Sequence, residues 1–177
     1  MRALALDLAN TLLRGTGGTE RDGLVTPADL ERWLREHEAD LGPTDPSVAL
    51  RLPEFRELRG RVLELLAAVA EGRRLPPAAV EAVNAAAAAA PSVLRLEVDG
   101  RVVDQAAGGS PTARILGEVA RSAIRLVGEG VRLGRCARCG RLFPAGRAGR
   151  RWCSPACGNR ERVARHRARH RAARSVG

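Results

Sequence analysis

Apolar residues recur every three or four positions in several segments, which is the period of an amphipathic helix. The longest such segment runs from near Pro53 to Ala70, and Gly72 closes it. Its apolar stripe consists of Phe55, Leu58, Val62, Leu65, Leu66 and Val69. Shorter helices are predicted from Pro27 to about His37, from Pro77 to Ala89, and from Pro111 to about Val127. Each of them starts with a proline, which is favoured in the first turn because its missing N–H has no intrahelical partner there.

A β-hairpin is predicted where this helical period stops. Residues 93–98 and 101–104 are rich in valine and leucine, and Asp99-Gly100 between them is typical of a tight turn. The opening segment from Leu4 to Leu13 fits either a short strand or the start of a helix. The pattern therefore predicts an α+β protein, with a mainly helical N-terminal domain over residues 1–132 that carries one β-hairpin. A linker near Val131 to Gly134 is expected to lead into a second domain over residues 133–177.

The charge distribution supports this division. The chain of 177 residues carries a formal net charge of +10, and all of its 30 basic residues are arginine. From Arg135 to Gly177 there are thirteen arginines and a single acid, Glu161, so this segment carries +12 and the remainder carries −2. A concentrated basic segment on a mildly acidic protein is typical of an element that binds a polyanion.

Four cysteines all fall within the basic segment, at Cys136, Cys139, Cys153 and Cys157. Their C-x2-C-x13-C-x3-C spacing is typical of two ligand pairs for one zinc ion, and four thiolates leave no open position for catalysis. We expect a tight C-x-x-C turn, a hairpin over residues 141–152 that returns Cys153, and a helix with Cys157 on its first turn. These parts together predict a treble-clef zinc finger holding one structural Zn²⁺.

A basic helix is predicted to leave this site. At 100° per residue, arginines lie along two sides of it, with a strip of alanines between them. This geometry suits a helix that enters a nucleic-acid groove and meets phosphates on both walls. The candidate contacts are Asn159, Arg160, Arg162, Arg165, Arg167, Arg169 and Arg171. Asn159 and Arg160 are open to two interpretations: they read base edges, or Asn159 braces the turn beside Cys157 and Arg160 contacts a phosphate.

Two strings resemble known families. The string Cys157-Gly158-Asn159-Arg160 resembles the CGNR zinc-finger family, over roughly residues 135–171. The opening Leu6-Asp7-Leu8-Ala9-Asn10-Thr11 resembles the start of the ABATE domain that usually precedes this finger. The resemblance implies a stress-induced bacterial transcription regulator whose finger binds DNA. Asp7 and Asn10 are then candidates for a ligand pocket, with local capping of a helix or turn as the alternative.

The basic segment favours binding of a polyanion, and the resemblance implies that the protein is a DNA-binding transcriptional regulator, with RNA binding or a zinc-dependent adaptor for an acidic protein as alternatives. No His/Asp cluster accompanies the cysteines to hold a catalytic divalent ion, so we do not expect an enzyme. The first residues lack the features of a secretory signal, and no apolar run approaches the roughly 20 residues of a membrane span. We therefore expect a cytoplasmic protein without membrane contacts, in which pairing of two copies is compatible with the sequence.

Overall fold

The computed structural model describes residues 3–15, 20–146 and 149–174, with side chains throughout except at residues 106 and 168–174. Its helices are α1 (Leu4–Ala9), α2 (Pro27–Glu36), α3 (Glu38–Leu41), α4 (Leu52–Ala70), α5 (Pro77–Ala88), α6 (Pro111–Gly128) and α7 (Pro155–Arg174), with a 3₁₀ helix over Pro46–Arg51. Its strands are β1 (Leu12–Arg14), β2 (Glu20–Asp22), β3 (Ser92–Leu96), β4 (Val102–Ala106), β5 (Leu133–Arg135) and β6 (Leu142–Pro144). The chain is thus α+β, as predicted from its hydrophobic pattern.

The main core forms where α1, α4, α5 and α6 pack together. The apolar stripe predicted on α4 faces this core, and Phe55, Val62 and Leu66 have no exposed surface. The opening segment, left open between strand and helix, contains both: Leu4–Ala9 forms α1, whose Ala5 and Leu8 are also fully buried, and Leu12 and Leu13 belong to β1. Burial of these side chains removes apolar surface from water, which is the main force that stabilises such a bundle.

Local sequence signals determine where these helices begin and end. Thr26 caps α2 in a reciprocal arrangement, because its hydroxyl accepts from the Asp29 N–H and the Asp29 carboxylate accepts from the Thr26 N–H. At the end of α6, Gly130 adopts a left-handed conformation with φ of +64°. The Val131 N–H then donates to the carbonyl of Leu126 at 3.2 Å, which closes the helix in a Schellman motif.

Three antiparallel hairpins occur in the described part of the chain, pairing β1 with β2, β3 with β4, and β5 with β6. The β3–β4 hairpin confirms the prediction, with Asp99-Gly100 in its turn and Leu96 opposite Val102. The prediction of one hairpin before residue 133 was wrong, because β1 and β2 form a second one. Strands of three residues are too short to show the alternation that identifies a strand in a sequence.

A buried ion pair fastens the β1–β2 hairpin to α4. Arg59 is 3% exposed, and its Nη1 and Nη2 donate to the two carboxylate oxygens of Asp22 at 2.5 and 2.9 Å. Nη1 also lies 3.2 Å from the Thr11 hydroxyl. The Arg59 hydrogen bonds, together with an N–H from Leu24, overcome burial and lower the pKa of the Asp22 carboxyl.

The segment predicted as a linker, residues 131–134, is instead part of the folded structure. Leu133 lies in β5 and is 7% exposed, and it joins the main core together with Leu142 of β6. The C-terminal segment is therefore anchored by buried apolar side chains directly after α6 ends. Among the described residues, none of the helices combines the length and apolar character needed to cross a membrane.

Candidate metal centre and basic helix

The four cysteine side chains converge on one point, with their sulfur atoms all within 4.8 Å of one another. The Sγ atom of Cys139 lies 3.6 Å from that of Cys153 and 3.9 Å from that of Cys157, and Cys153 and Cys157 are 3.7 Å apart. A tetrahedral zinc ion with Zn–S bonds of about 2.3 Å separates its sulfurs by about 3.8 Å. The geometry therefore fits one four-coordinate Zn²⁺.

The first cysteine pair lies in the turn between β5 and β6. The Cys136 N–H donates to the Arg141 carbonyl at 2.8 Å, and the Gly140 N–H donates to the Cys136 carbonyl at 2.9 Å. Gly140 has φ of +74°, and a Cβ atom there would lie 2.0 Å from the carbonyl oxygen of Arg14 in β1. Glycine is required at this position both by the backbone conformation and by the approach of β1.

The second cysteine pair returns to the first without the predicted hairpin. In the described part of residues 141–152, β6 is the only strand, and it pairs with β5, which precedes Cys136, rather than with the residues before Cys153. The return is supported by a hydrogen bond from the Ala137 N–H to the Arg151 carbonyl at 3.0 Å, and by the Cys153 N–H, which points at the sulfur of Cys136. Glycines at 146 and 149 and the proline at 144 leave little β propensity in this segment, so the pairing goes to the residues before Cys136.

Helix α7 positions the last ligand candidate. Ser154 precedes Pro155, and its hydroxyl accepts from the Cys157 N–H at 3.2 Å, as expected for a cap before a first-turn proline. Cys157 lies on the first turn of the helix and is 8% exposed, which confirms the predicted placement. The thiol therefore points into the cluster from a rigid element.

The environment of the thiols favours bound metal over free sulfhydryls. Burial opposes ionisation of Cys136, but N–H groups of Cys139, Cys153 and Arg138 point at its sulfur and lower its pKa to about 6. Burial and contact with the other sulfurs raise the pKa of Cys153 to about 12. Four crowded sulfurs cannot all ionise without a cation between them, and a divalent ion supplies that charge.

A small apolar cluster closes around this site. Cys136 and Phe143 are 2% and 5% exposed, and Trp152 and Ala145 pack against them. A segment with so few large apolar residues gains much of its stability from the metal. A closed sulfur cage of this kind suits a structural zinc ion, because catalytic zinc keeps a position for water.

Helix α7 presents its arginines to solvent. Between residues 159 and 167 every side chain is exposed except Glu161, which is partly buried. The structure therefore places four of the predicted arginine contacts, Arg160, Arg162, Arg165 and Arg167, on an accessible surface. The side chains of Arg169 and Arg171, also predicted as contacts, lie outside the described residues. Ala164 and Val163 separate these arginines with small or apolar side chains.

Some of these side chains already have partners within the finger. Asn159 is exposed, and its Oδ1 accepts from Nη2 of Arg162 at 2.8 Å. Glu161 lies 3.4 Å from Arg138 of the cysteine turn and 3.8 Å from Arg165. Glu161, the single acid of the basic segment, thus links α7 to the turn that carries Cys136 and Cys139, and it neutralises part of the positive charge of Arg165.

Asp7 and Asn10, predicted to line a ligand pocket, lie on one cleft between α1, α2 and the finger. The cleft has a volume of about 600 Å³ and also includes Trp33, His37 and Arg141. His37 stacks on Trp33 with 4.3 Å between ring centroids, and its Nε2 lies 3.4 Å from the Asp7 carboxylate. A ligand in this cleft remains a prediction, and the structure shows another use for Asn10.

Asn10 joins the N-terminal helices to the finger. Its Nδ2 donates to the Leu142 carbonyl at 2.9 Å, and its Oδ1 accepts from the Leu142 N–H at 2.8 Å. The amide thus pairs with β6 as a neighbouring strand would, across 132 positions of sequence. An ion pair between Arg135 and Glu71 at 3.4 Å adds a second contact.

Sequence reasoning missed the Asn10–Leu142 pairing and the Arg59–Asp22 ion pair. The position of Arg59 indicates that its side chain is buried, because it lies four positions after Phe55 and three before Val62, on the apolar face of α4. A charged residue at such a position needs a partner, which the sequence does not identify. Asn10 carries no comparable signal, because its partner is a backbone group.

Comparison with known families gives two matches. A family model named ABATE, described as "Putative stress-induced transcription regulator", matches residues 2–130. A model described as CGNR zinc finger matches residues 132–170. Both confirm the resemblances drawn from the opening string and from residues 157–160. No curated protein matches the chain significantly.

Proposed function

The chain belongs to the ABATE family and continues into a CGNR zinc finger, and from this premise we propose that it is a transcription regulator that binds duplex DNA through α7. The observation that carries the proposal is the set of four exposed arginines, on two sides of a helix that begins at the cysteine cluster. Arginines on two sides of a helix can meet phosphates on both walls of a groove.

The zinc ion has a structural role in this proposal. Cys136, Cys139, Cys153 and Cys157 are its ligands, within a finger of the treble-clef type formed by the cysteine turn, β5, β6 and α7. The ion holds the start of α7 against the turn, so that the direction of the helix is determined by the finger. Base contacts from Asn159 or Arg160, and phosphate contacts from the remaining arginines, follow from that direction.

The division of labour follows the two family matches. Residues 1–132 act in sensing or association, and residues 133–177 form the DNA-binding finger. The paired hydrogen bonds of Asn10 and the buried Leu133 support a rigid attachment between them. A ligand or partner that moves the N-terminal domain therefore moves the finger with it, because the two are attached rigidly.

Salt dependence of DNA affinity tests the proposal. The logarithm of the association constant for duplex DNA should fall linearly with the logarithm of salt concentration, by about 0.9 for each neutralised phosphate. A quadruple glutamine variant of α7 should lose up to about 3.6 from that slope. The variant replaces Arg160, Arg162, Arg165 and Arg167.

The matched control replaces four exposed arginines of the N-terminal domain and keeps the same net charge change. These are Arg21, Arg35, Arg74 and Arg101. The control should retain the salt slope, because binding depends on where the charges lie and not on the total charge. Equal slopes for the two variants, or an affinity of the unmodified protein that ignores salt, would contradict the proposal.

Binding of single-stranded RNA is a second candidate, favoured by Trp152. Trp152 packs against the apolar cluster of the finger but is only half-buried, and it lines a cavity of about 430 Å³ together with Arg150 and Arg162. An indole beside arginines can stack an unpaired base. Competition between duplex DNA and single-stranded RNA for the zinc-loaded protein separates the two. Trp152→Leu, which keeps an apolar side chain against the cluster of the finger, should weaken RNA binding more than duplex DNA binding.

A further inference from the structure

A cavity of about 430 Å³ lies between residues 150–154 and the first turns of α7. This volume falls within the range of about 300–1,000 Å³ that is typical of sites for small molecules. The cavity is lined by Arg150, Trp152, Ser154, Pro155, Gly158 and Arg162. Apolar surface and two positive charges therefore meet in one place on the finger.

The apolar part of the cavity offers a surface for a planar ring. The indole of Trp152 is half-buried, and Pro155 beside it in the cavity is exposed. Gly158 has no side chain to cover the indole, because a Cβ atom there would touch it, at 3.6 Å from its Cδ2 and Cε3. An indole with open space beside it can stack a nucleobase, since every base has a π face.

The two guanidinium groups of the cavity are held in place by neutral acceptors. Arg150 donates from Nε to the Trp152 carbonyl at 3.0 Å and from Nη2 to the Cys153 carbonyl at 2.5 Å. Arg162 donates from Nη2 to Oδ1 of Asn159 at 2.8 Å. Each group keeps its charge and further N–H donors for a ligand, and neither has to be ordered when the ligand binds.

The single acid of the finger does not neutralise these two charges. The carboxylate of Glu161 lies 3.4 Å from Arg138 and 3.8 Å from Arg165. Within the described residues, Arg150 and Arg162 form no ion pair. Two forked guanidinium groups match a phosphate monoester, which carries about two negative charges and three acceptor oxygens.

We propose that this cavity binds one nucleoside monophosphate, with its base against Trp152 and its phosphate on Arg150 and Arg162. A base joined to a phosphate is the ligand that an indole and two guanidinium groups recognise together. This inference goes beyond the proposed DNA binding, because the bases of a duplex are stacked on one another and cannot enter the cavity.

The aromatic residues favour a single nucleotide over a strand. Modules that read single-stranded RNA stack two or three successive bases on aromatic side chains. The chain has two tryptophans, two phenylalanines and no tyrosine. Trp33, Phe55 and Phe143 are each 5% exposed or less. Trp152 is therefore the one member of this set with surface for a base.

Calorimetry of the zinc-loaded protein with adenosine monophosphate tests the proposal, and we expect one nucleotide bound per chain. Adenosine lacks the phosphate and should bind at least about tenfold more weakly. Ribose 5-phosphate lacks the base and should bind at least about fivefold more weakly. Absence of binding at millimolar nucleotide, or equal binding of ribose 5-phosphate, would overturn the proposal. Binding of single-stranded RNA without binding of the mononucleotide would also overturn it.

Substitutions locate the site. Arg162→Gln, at an exposed helical position, should weaken binding of adenosine monophosphate by at least about tenfold, and Trp152→Leu by at least about fivefold. Arg141→Gln is the matched control, because Arg141 is exposed on the finger and lines a different cleft. The control should bind the nucleotide as the unmodified protein does. An equal loss in Arg141→Gln would show that the nucleotide responds only to the net charge of the finger, and would overturn the site.

Competition with duplex DNA follows if both proposals hold, because Arg162 is also a proposed DNA contact. Saturating adenosine monophosphate should then lower the salt slope of duplex binding by about 0.9, the contribution of one phosphate. An unchanged slope would overturn this coupling. Nucleotide binding without any duplex binding would instead contradict the proposed function and support the cavity as a separate site.

Discussion

Replacing Asn10 tests whether the finger and the N-terminal helices form one folding unit. The Asn10 amide donates to the Leu142 carbonyl and accepts from the Leu142 N–H, at 2.9 and 2.8 Å. Leu142 is 1% exposed and belongs to the main core. Asn10→Ala leaves both the N–H and the carbonyl of Leu142 without their hydrogen-bond partner.

The magnitude follows from the two backbone groups left behind. A buried donor or acceptor without a partner costs about 1–3 kcal/mol. Asn10 lines an open cleft, so water can reach part of the vacated space, and we take the lower half of that range for each group. Asn10→Ala should therefore lower the free energy of unfolding by about 2–4 kcal/mol. Asn84→Ala is the matched control, because Asn84 is exposed on α5 and its loss should change stability by less than about 0.5 kcal/mol.

Urea unfolding of the zinc-saturated protein measures the difference. With a denaturant slope of about 2 kcal/mol per molar, the midpoint of the Asn10→Ala variant should fall by about 1–2 M. Hydrogen exchange adds a local readout, because the Leu142 amide should lose its protection. If the Asn10→Ala midpoint matches that of Asn84→Ala and the Leu142 amide stays protected, then these hydrogen bonds do not couple the two parts and the reasoning is wrong.

Four other outcomes follow from the structure. Arg59→Met should lower the free energy of unfolding by about 3–5 kcal/mol, because it leaves the Asp22 carboxylate without its main partner. The control Arg56→Met removes a half-exposed contact 3.5 Å from the same carboxylate and should cost less than about 1 kcal/mol. Equal losses of stability in calorimetry would argue against a special role for Arg59. Because hydrogen bonds from Arg59 lower the folded-state pKa of Asp22, the stability from this pair should be complete above about pH 4, the unfolded value, and should be lost as pH falls through the folded value; Asp22→Asn should remove that part of the acid sensitivity. Gly140→Ala should destabilise the fold by at least about 2 kcal/mol, since the positive φ of this residue and the β1 carbonyl both oppose a Cβ atom. Gly60→Ala, in an open position within α4, should stabilise the fold by about 0.5–1 kcal/mol. A melting temperature of the Gly140→Ala variant equal to or above that of Gly60→Ala would contradict the described contact with β1. Metal analysis should find one zinc per chain, and chelation should lower the helical circular dichroism signal until zinc is restored; an unchanged signal would show that the ion does not hold α7.

The sequence was most informative where the cause of structure is local. The bounds of α2, α4, α5 and α6 follow from apolar period, caps and prolines that act within a few residues, and the structure agrees with them closely. The cysteine spacing likewise predicted a single cluster, because two short ligand pairs around one metal leave few arrangements. The β3–β4 turn was predictable for the same reason, since Asp99-Gly100 alone favours it.

The errors occurred where short segments choose among distant partners. Strand β6 pairs with β5 rather than with the residues that precede Cys153, and β1 pairs with a strand that the sequence did not indicate. Each of these strands has three residues, so its own propensity contributes little and the surrounding contacts decide its partner. The linker expected before the finger became a buried strand for the same reason.

The sequence by itself determined helices α2, α4, α5 and α6, the four cysteines that can hold one metal ion and the position of the positive charge, because each depends on spacing along the chain. Only the tertiary structure decided how the finger is held. The Asn10 amide pairs with a backbone group 132 positions away, and Arg59 of α4 pairs with Asp22 of β2, 37 positions away. A backbone group has no side-chain identity to mark it, and a buried charge demands a partner without specifying which. Such pairings are determined by the packing of the helices, which brings the partners within hydrogen-bond distance.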